Sequence, residues 1–273
     1  MLGAIVGDVI GSVYEINNVK TEEFPLFSRF TRFTDDSVLT LAVAHAILHQ
    51  EETDQTFWRA RRNRRLYAQM IKQYARRYPD AGYGGRFEEW MKSESMRPYN
   101  SFGNGAAMRA SPIGLAFDTL NEVLAEAKQS AEVTHNHREG IRGAQAIASA
   151  VFLARTGKSK QEVQSFIAAK FRYRLDRRLE VLRETYKFDS SCQGSVPEAI
   201  IAFLEADNFM DAVRKAISLG GDSDTIACMT GAIAHAYYKD IPHNVADMVR
   251  FKLDFGLRQT LDRFEARYKL PDS

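Results

Sequence analysis

Downstream of Asp36, the side chains of Val38, Leu41, Ala42, His45 and Leu48 recur at the i, i+3, i+4, i+7 spacing of one buried helix face. Downstream of Asp224 the pattern returns in Ile226, Met229, Thr230, Ile233, Ala234 and Tyr237, and Gly220-Gly221 supplies the turn that lets a new helix begin. The same period predicts helices over Asp54 to Tyr78, Leu120 to Glu132, Arg138 to Arg155, Lys160 to Lys170, Val196 to Ala206, Phe209 to Leu219 and Leu257 to Tyr268. The two-residue alternation of half-buried strands is scarce. The expected fold is therefore all-α: a single compact multi-helix domain spanning residues 1–273.

Glycines punctuate this pattern in two ways. Gly3, Gly7 and Gly11 recur every fourth residue, which on a helix makes a smooth groove for a close neighbour. The order is not that of a dinucleotide-binding turn, so close helix packing is the expectation rather than ligand contact. Gly82 to Gly85 and Gly103 to Gly105 interrupt the helical period with no compositional shift on either side, and read as internal loops rather than linkers.

Composition narrows the function classes. Hydrophobic residues make up 45% of the 273 and charged residues 26%, which suits an ordered globular protein. Net charge is +2 from 37 basic and 35 acidic side chains, so no global field draws the chain to nucleic acid or an anionic membrane. Arg59, Arg61, Arg62, Arg64 and Arg65, flanked by Trp58 and Tyr67, form the strongest basic run; on a helix they spread around the circumference, as on a solvated face. Cys192 and Cys228 have no second thiol at metal-ligand or redox spacing. The stretch Met1 to Tyr14 lacks a basic leader and carries Asp8, and no apolar run approaches the ~18 residues that span a bilayer. A cytoplasmic protein with no membrane partner is expected.

Chemistry concentrates at two helix starts. Thr34-Asp35-Asp36-Ser37 places two carboxylates in a first turn, which alone is a good N-terminal cap favoured by the helix dipole. Gly220-Gly221-Asp222-Ser223-Asp224-Thr225 repeats the device. Brought together, four carboxylates would repel strongly unless hard cations sat between them. Oxygen ligands with no histidine or cysteine select Mg2+ or Mn2+ over zinc.

Four stretches in this order resemble the ADP-ribosylglycohydrolase family, which includes the glycohydrolase that reactivates ADP-ribosylated dinitrogenase reductase. They are Gly3 to Asp8 running on to Glu15, Thr34-Asp35-Asp36, Ser101 to Arg109, and Gly220 to Ala227, with Thr134-His135 as reinforcement. The resemblance implies an all-α hydrolase with two Mg2+ or Mn2+ ions held by Thr34, Asp35, Asp36, Asp222, Asp224 and Thr225 at helix N-termini in a central cleft. It implies that Ser101, Phe102, Gly103, Asn104 and Gly105 cradle the phosphates and distal ribose of ADP-ribose. Small residues there would let backbone N–H groups converge on an anion. It places His135 beside the nucleotide, and Glu15 near the metals in gating or proton transfer.

The implied reaction is hydrolysis of the glycosidic bond joining ADP-ribose to an acceptor, on an ADP-ribosylated protein side chain or a small ADP-ribose conjugate. Glu15, Asp35, Asp36 and Asp222 are the candidate catalytic carboxylates; Asp222 and Glu15 are the freer candidates for taking a water's proton. Two alternatives stay open: a metal-dependent hydrolase of another phosphate-containing metabolite, and a noncatalytic ADP-ribose-binding relative.

Overall fold

The computed structural model describes residues 1–50 and 59–270. Among these the chain forms α1 (Leu2–Gly11), α2 (Asp35–Gln50), α3 (Arg59–Arg77), α4 (Gly85–Lys92), α5 (Gly105–Met108), α6 (Ser111–Ala116), α7 (Leu120–Glu132) and α8 (Arg138–Arg155). It continues with α9 (Lys160–Phe171), α10 (Leu179–Thr185), α11 (Cys192–Leu204), α12 (Phe209–Ser218), α13 (Ser223–Tyr238), α14 (His243–Lys252) and α15 (Phe255–Arg267). Strand-like pairing is confined, among the described residues, to an isolated antiparallel bridge between Gly103 and Ser191. The fold is all-α, as the period implied.

Local sequence explains where many helices begin. Thr119 with Glu122 and Ser159 with Glu162 close capping boxes at the starts of α7 and α9, each pair satisfying two otherwise orphaned N–H groups. Ser191 caps α11 by accepting from the Gly194 amide at 3.1 Å, so this helix starts a turn before the expected Val196. The expected helix from Asp54 has its first turn outside the described residues. Helices α4, α5, α6, α10 and α14 escape periodicity because most are too short to repeat an apolar spacing.

Helices α2 and α13 depart from the one-faced stripe expected of them. Every residue of α2 from Asp36 to Ala44 is buried, as is every residue of α13 from Ser223 to Ala234. All ten residues of α1 are buried too. These three helices lie largely inside the molecule, with other helices packed around them.

The glycine groove is the contact between α1 and α13. A β-carbon on Gly7 would lie 2.0 Å from the Ala227 carbonyl oxygen, one on Gly3 would lie 2.3 Å from that of Gly231, and one on Gly11 would lie 2.5 Å from the Asp224 α-carbon. No side chain fits in that space. This approach brings Asp8 of α1 to the N-terminal ends of α2 and α13. The hydrophobic core runs from Met1 to Phe264, and among the described residues no helix is long and apolar enough to cross a membrane.

Candidate active site

The two acidic motifs meet. Thr225 at the start of α13 donates its hydroxyl to Asp36 Oδ2 at 3.0 Å, across 189 residues of sequence. Both motifs sit at helix N-termini on the floor of a cavity of about 430 Å3. The turn before α13 depends on two glycines in the left-handed region, Gly220 at φ 67° and Gly221 at φ 70°. Asn18 pins it by accepting from the Gly221 amide at 2.5 Å, and Lys20 by donating to the Leu219 carbonyl at 2.5 Å.

Carboxylate oxygens form two groups whose members lie within 4.8 Å of one another: Asp8, Asp36 and Asp224, and Glu15, Asp222 and Asp224. Asp224 is shared. Asp8 is the residue that sequence reasoning did not assign to the site. It accepts from the Thr34 amide at 3.0 Å, the Thr34 hydroxyl at 2.5 Å and the Ser37 amide at 3.1 Å, and also from the Ser37 hydroxyl. The only local signal for it was a lone acid in a helix that is otherwise apolar or glycine.

Thr34, Asp35 and Asp36 all line the cavity, as do Asp222, Asp224 and Thr225. Asp35 belongs to neither close carboxylate group; its amide donates to the Ala81 carbonyl at 2.9 Å, and the carboxylate lies near Gly82. Asp222 precedes α13 yet makes no capping bond to it, and instead accepts from the Asn104 amide group at 2.7 Å. A capping role alone does not account for it. Asp36 Oδ1 is buried with no hydrogen-bond partner among the described residues.

Burial and mutual repulsion hold these acids away from their ordinary charged state. Burial first, then Asp8, Asp222 and Glu15, push Asp35 up to about 8. Asp36 is raised well above the usual range by burial, Asp8, Asp35 and Asp222, and Asp224 by burial, Asp36, Asp222, Glu15 and Asp8. Glu15 is raised by burial and by Asp222, against the opposing charge of Arg32. A nest of carboxylates short of positive charge, with an orphaned buried oxygen, fits hard divalent cations through its donor chemistry.

The rest of the lining is built differently. Ser101, Gly103, Asn104, Gly105, Arg109 and His135 belong to it, together with Tyr99 and Arg86. The Gly103 amide is spent on Ser101 Oγ at 3.1 Å and the Asn104 amide on the Ser190 carbonyl at 2.8 Å, so the loop's amides converge less than its small residues suggested. Phe102 does not line the cavity. Its ring is half exposed and lies edge-on to His137 at 5.7 Å, while its carbonyl accepts from the Cys192 amide.

His135 is buried, and burial together with Arg109 and Arg86 keeps its ring well below the usual histidine range, hence neutral. His137, by contrast, caps α8 through Nδ1, which accepts from the Glu139 amide at 3.2 Å. Gly82, Gly84 and Gly85, read in the sequence as an internal loop, line the cavity, as does the exposed Phe188. In the basic run, Tyr67 is fully buried and donates to Glu126 Oε2 at 2.9 Å, so it offers no face to a nucleobase. Trp58 lies outside the described residues.

The family model described as ADP-ribosylglycohydrolase matches residues 1–271. The chain is 29% identical to the ADP-ribosylhydrolase ARH3 of Mus musculus, over 87% of this chain and 82% of that one. It is 25% identical to the ADP-ribosylarginine hydrolase Tri1 of Pseudomonas putida (strain GB-1), over 87% and 69%. A solved structure titled "ADP-ribosylglycohydrolase-related protein complex" superposes with a TM-score of 0.67 at 22% identity, covering 99% of this chain and 97% of that one.

Proposed function

Because this chain belongs to the ADP-ribosylglycohydrolase family, we propose that it hydrolyses the glycosidic bond joining ADP-ribose to an acceptor, most simply an ADP-ribosylated protein side chain. One observation carries the reading: two carboxylate groups share Asp224 in a cavity that Ser101, Gly103, Asn104, Gly105 and His135 also line. The names of the mouse and Pseudomonas relatives point to the same class of substrate.

Two divalent cations, Mg2+ or Mn2+, would supply Lewis-acid polarisation of a water and of the ribose hydroxyls when bound. Asp8, Asp36 and Asp224 would hold one of them, and Glu15, Asp222 and Asp224 the other, with Thr34, Thr225 and Asp35 alongside. Thr34 and Ser37 donate to Asp8, and Thr225 to Asp36, so these carboxylates are fixed in place before any ligand arrives.

The remaining work falls to the chain's own residues. Ser101, Gly103, Asn104 and Gly105 border the space for the nucleotide, and the absence of bulk there lets a diphosphate approach the backbone. Of the carboxylates lining the cavity, Glu15 and Asp222 are the proposed candidates for taking the attacking water's proton. In the cation-free protein burial raises the pKa of both, and Asp222 also raises that of Glu15. Attack is at C1 of the ribose, whose transition state has oxocarbenium character. The two buried thiols suit a reducing, cytoplasmic setting.

Incubation with arginine- and serine-ADP-ribosylated peptides, with Mg2+ or Mn2+ and with chelator, tests this directly. Release of ADP-ribose dependent on divalent cation is expected. Release of inorganic phosphate or AMP instead, or tight ADP-ribose binding without turnover of either peptide, would overturn it.

A further inference from the structure

Arg109 is fully buried, and no carboxylate among the described residues bonds to it. It donates to the Gly105 carbonyl at 3.0 Å, the Ser130 carbonyl at 3.2 Å and, through Nη2, to Thr134 Oγ1 at 2.8 Å. Thr134 is also fully buried, and among the described residues its hydroxyl has one other hydrogen-bond partner, His135 Nδ1 at 2.7 Å. The arrangement is a short chain, guanidinium to hydroxyl to imidazole, ending at the cavity wall.

Protons in that chain are determined by what each group can do. A guanidinium only donates, so the Thr134 oxygen must accept from Arg109. The Thr134 proton then has a single acceptor within reach, His135 Nδ1. Were Nδ1 protonated instead, the hydroxyl would receive two hydrogen bonds and its own proton would be stranded in a fully buried position.

We infer that Arg109 and Thr134 are positioning residues that lock His135 in the tautomer with its proton on Nε2, so that the ring presents a fixed donor to an acceptor oxygen of the bound ADP-ribose moiety. The ligand half of this inference rests on the reading of the cavity given above; the tautomer half does not. Nε2 has no protein partner among the described residues. It lies 3.3 Å from where a β-carbon on Gly105 would stand and 3.6 Å from where one on Gly103 would stand. The missing side chains at these two positions leave the ring's donor open to the cavity.

Arg109 is lowered only to about 10 by its burial, so it stays a cation, and a donor, at neutral pH. Its charge in turn helps keep His135 neutral, which a one-proton ring requires. Arg109 therefore acts on the ligand through another residue rather than by touching it.

Nitrogen NMR of the six histidine rings, with the His135 signal assigned by its loss in His135→Gln, reads the tautomer in the protein alone. Wild type should show Nε2–H only. Thr134→Val, which removes the proton donor, should show a mixture of both tautomers and bind ADP-ribose in Mg2+ about five- to tenfold more weakly, and Thr134→Ser should restore the single form and the affinity. A wild-type ring protonated on Nδ1 or on both nitrogens overturns the inference, and this needs no variant to fold. An unchanged tautomer in folded Thr134→Val removes Thr134 from the device, and a changed tautomer with unchanged affinity removes the ligand contact. Wild type with the expected tautomer but no affinity for ADP-ribose would count against the proposed function instead.

Discussion

The two walls of the cavity solve opposite electrostatic problems. The floor, at the N-terminal ends of α2 and α13 beside α1, gathers Asp8, Asp35, Asp36, Asp222 and Asp224, all raised toward their neutral forms. The wall around His135 buries Arg109 with no carboxylate among the described residues bonded to it, and keeps His135 neutral. The floor has an excess of acid, and the wall holds a cation to which no described carboxylate is bonded. On the proposed function, divalent cations would balance the first and an anionic diphosphate the second.

Removing the floor's chemistry should have the largest effect. Asp36→Ala and Asp224→Ala should each lower ADP-ribose release at least about a thousandfold, because the lost ligands abolish Lewis-acid stabilisation worth several kcal/mol. Both variants should melt no lower than wild type in chelator, since each relieves repulsion among buried carboxylates. Steady-state assays and melting curves check this pair of outcomes together. An active Asp224→Ala would break the assignment, because Asp224 belongs to both carboxylate groups.

Next in size is a change that never touches the ligands. Gly7→Ala should destabilise the protein by about 3 kcal/mol, because the new methyl would sit 2.0 Å from the Ala227 carbonyl oxygen. To relieve the clash α1 must move off α13, carrying Asp8 away from Asp36 and Asp224. Denaturant unfolding should show the loss, and Mg2+ should raise the melting temperature of this variant less than that of wild type. Normal stability in Gly7→Ala would mean that the contact between α1 and α13 is looser than the structure shows.

The floor was far more legible in the sequence than the wall. Asp35, Asp36, Asp222 and Asp224 announce themselves because a pair of acids at a helix start is repeated, and each pair is followed by apolar residues at helical spacing. Asp8 carries no such mark, since its bonding partners lie 26 and 29 residues away and only folding brings them together. The wall depends on side-chain direction, which composition does not encode. Phe102 sits in the right stretch, yet the bridge at Gly103 and the bond from the Cys192 amide turn its ring away from the cavity. The stripe read on α2 and α13 understated their burial, because periodicity detects an exposed face and these helices have almost none.

A pH series sharpens the contrast further. The folded-state pKa of Asp35 is about 8 against an ordinary 3.8. The native state therefore holds a proton that the unfolded chain has released, and stability falls as pH rises across that interval. Chelated protein should melt lower at pH 8 than at pH 6. Cations compete with those protons for the same oxygens, so the rise in melting temperature on adding Mg2+ should grow over the same range. A chelated protein that becomes more stable from pH 6 to pH 8 would show that the floor is not a nest of unpaired carboxylates.

The smallest expected effect tests the wall at the point where sequence and structure part. Phe102→Ala should change the kcat/KM for an ADP-ribosylated peptide by less than about threefold, because a half-exposed ring that packs only at its edge loses little on removal. Gly105→Ala in the same loop should do more, since its methyl would come 3.3 Å from His135 Nε2 and cover that nitrogen. The ordering of the two variants is the informative quantity. If Phe102→Ala proves the more damaging, the ring must swing over the cavity when substrate binds, and the wall is assembled by the ligand rather than before it.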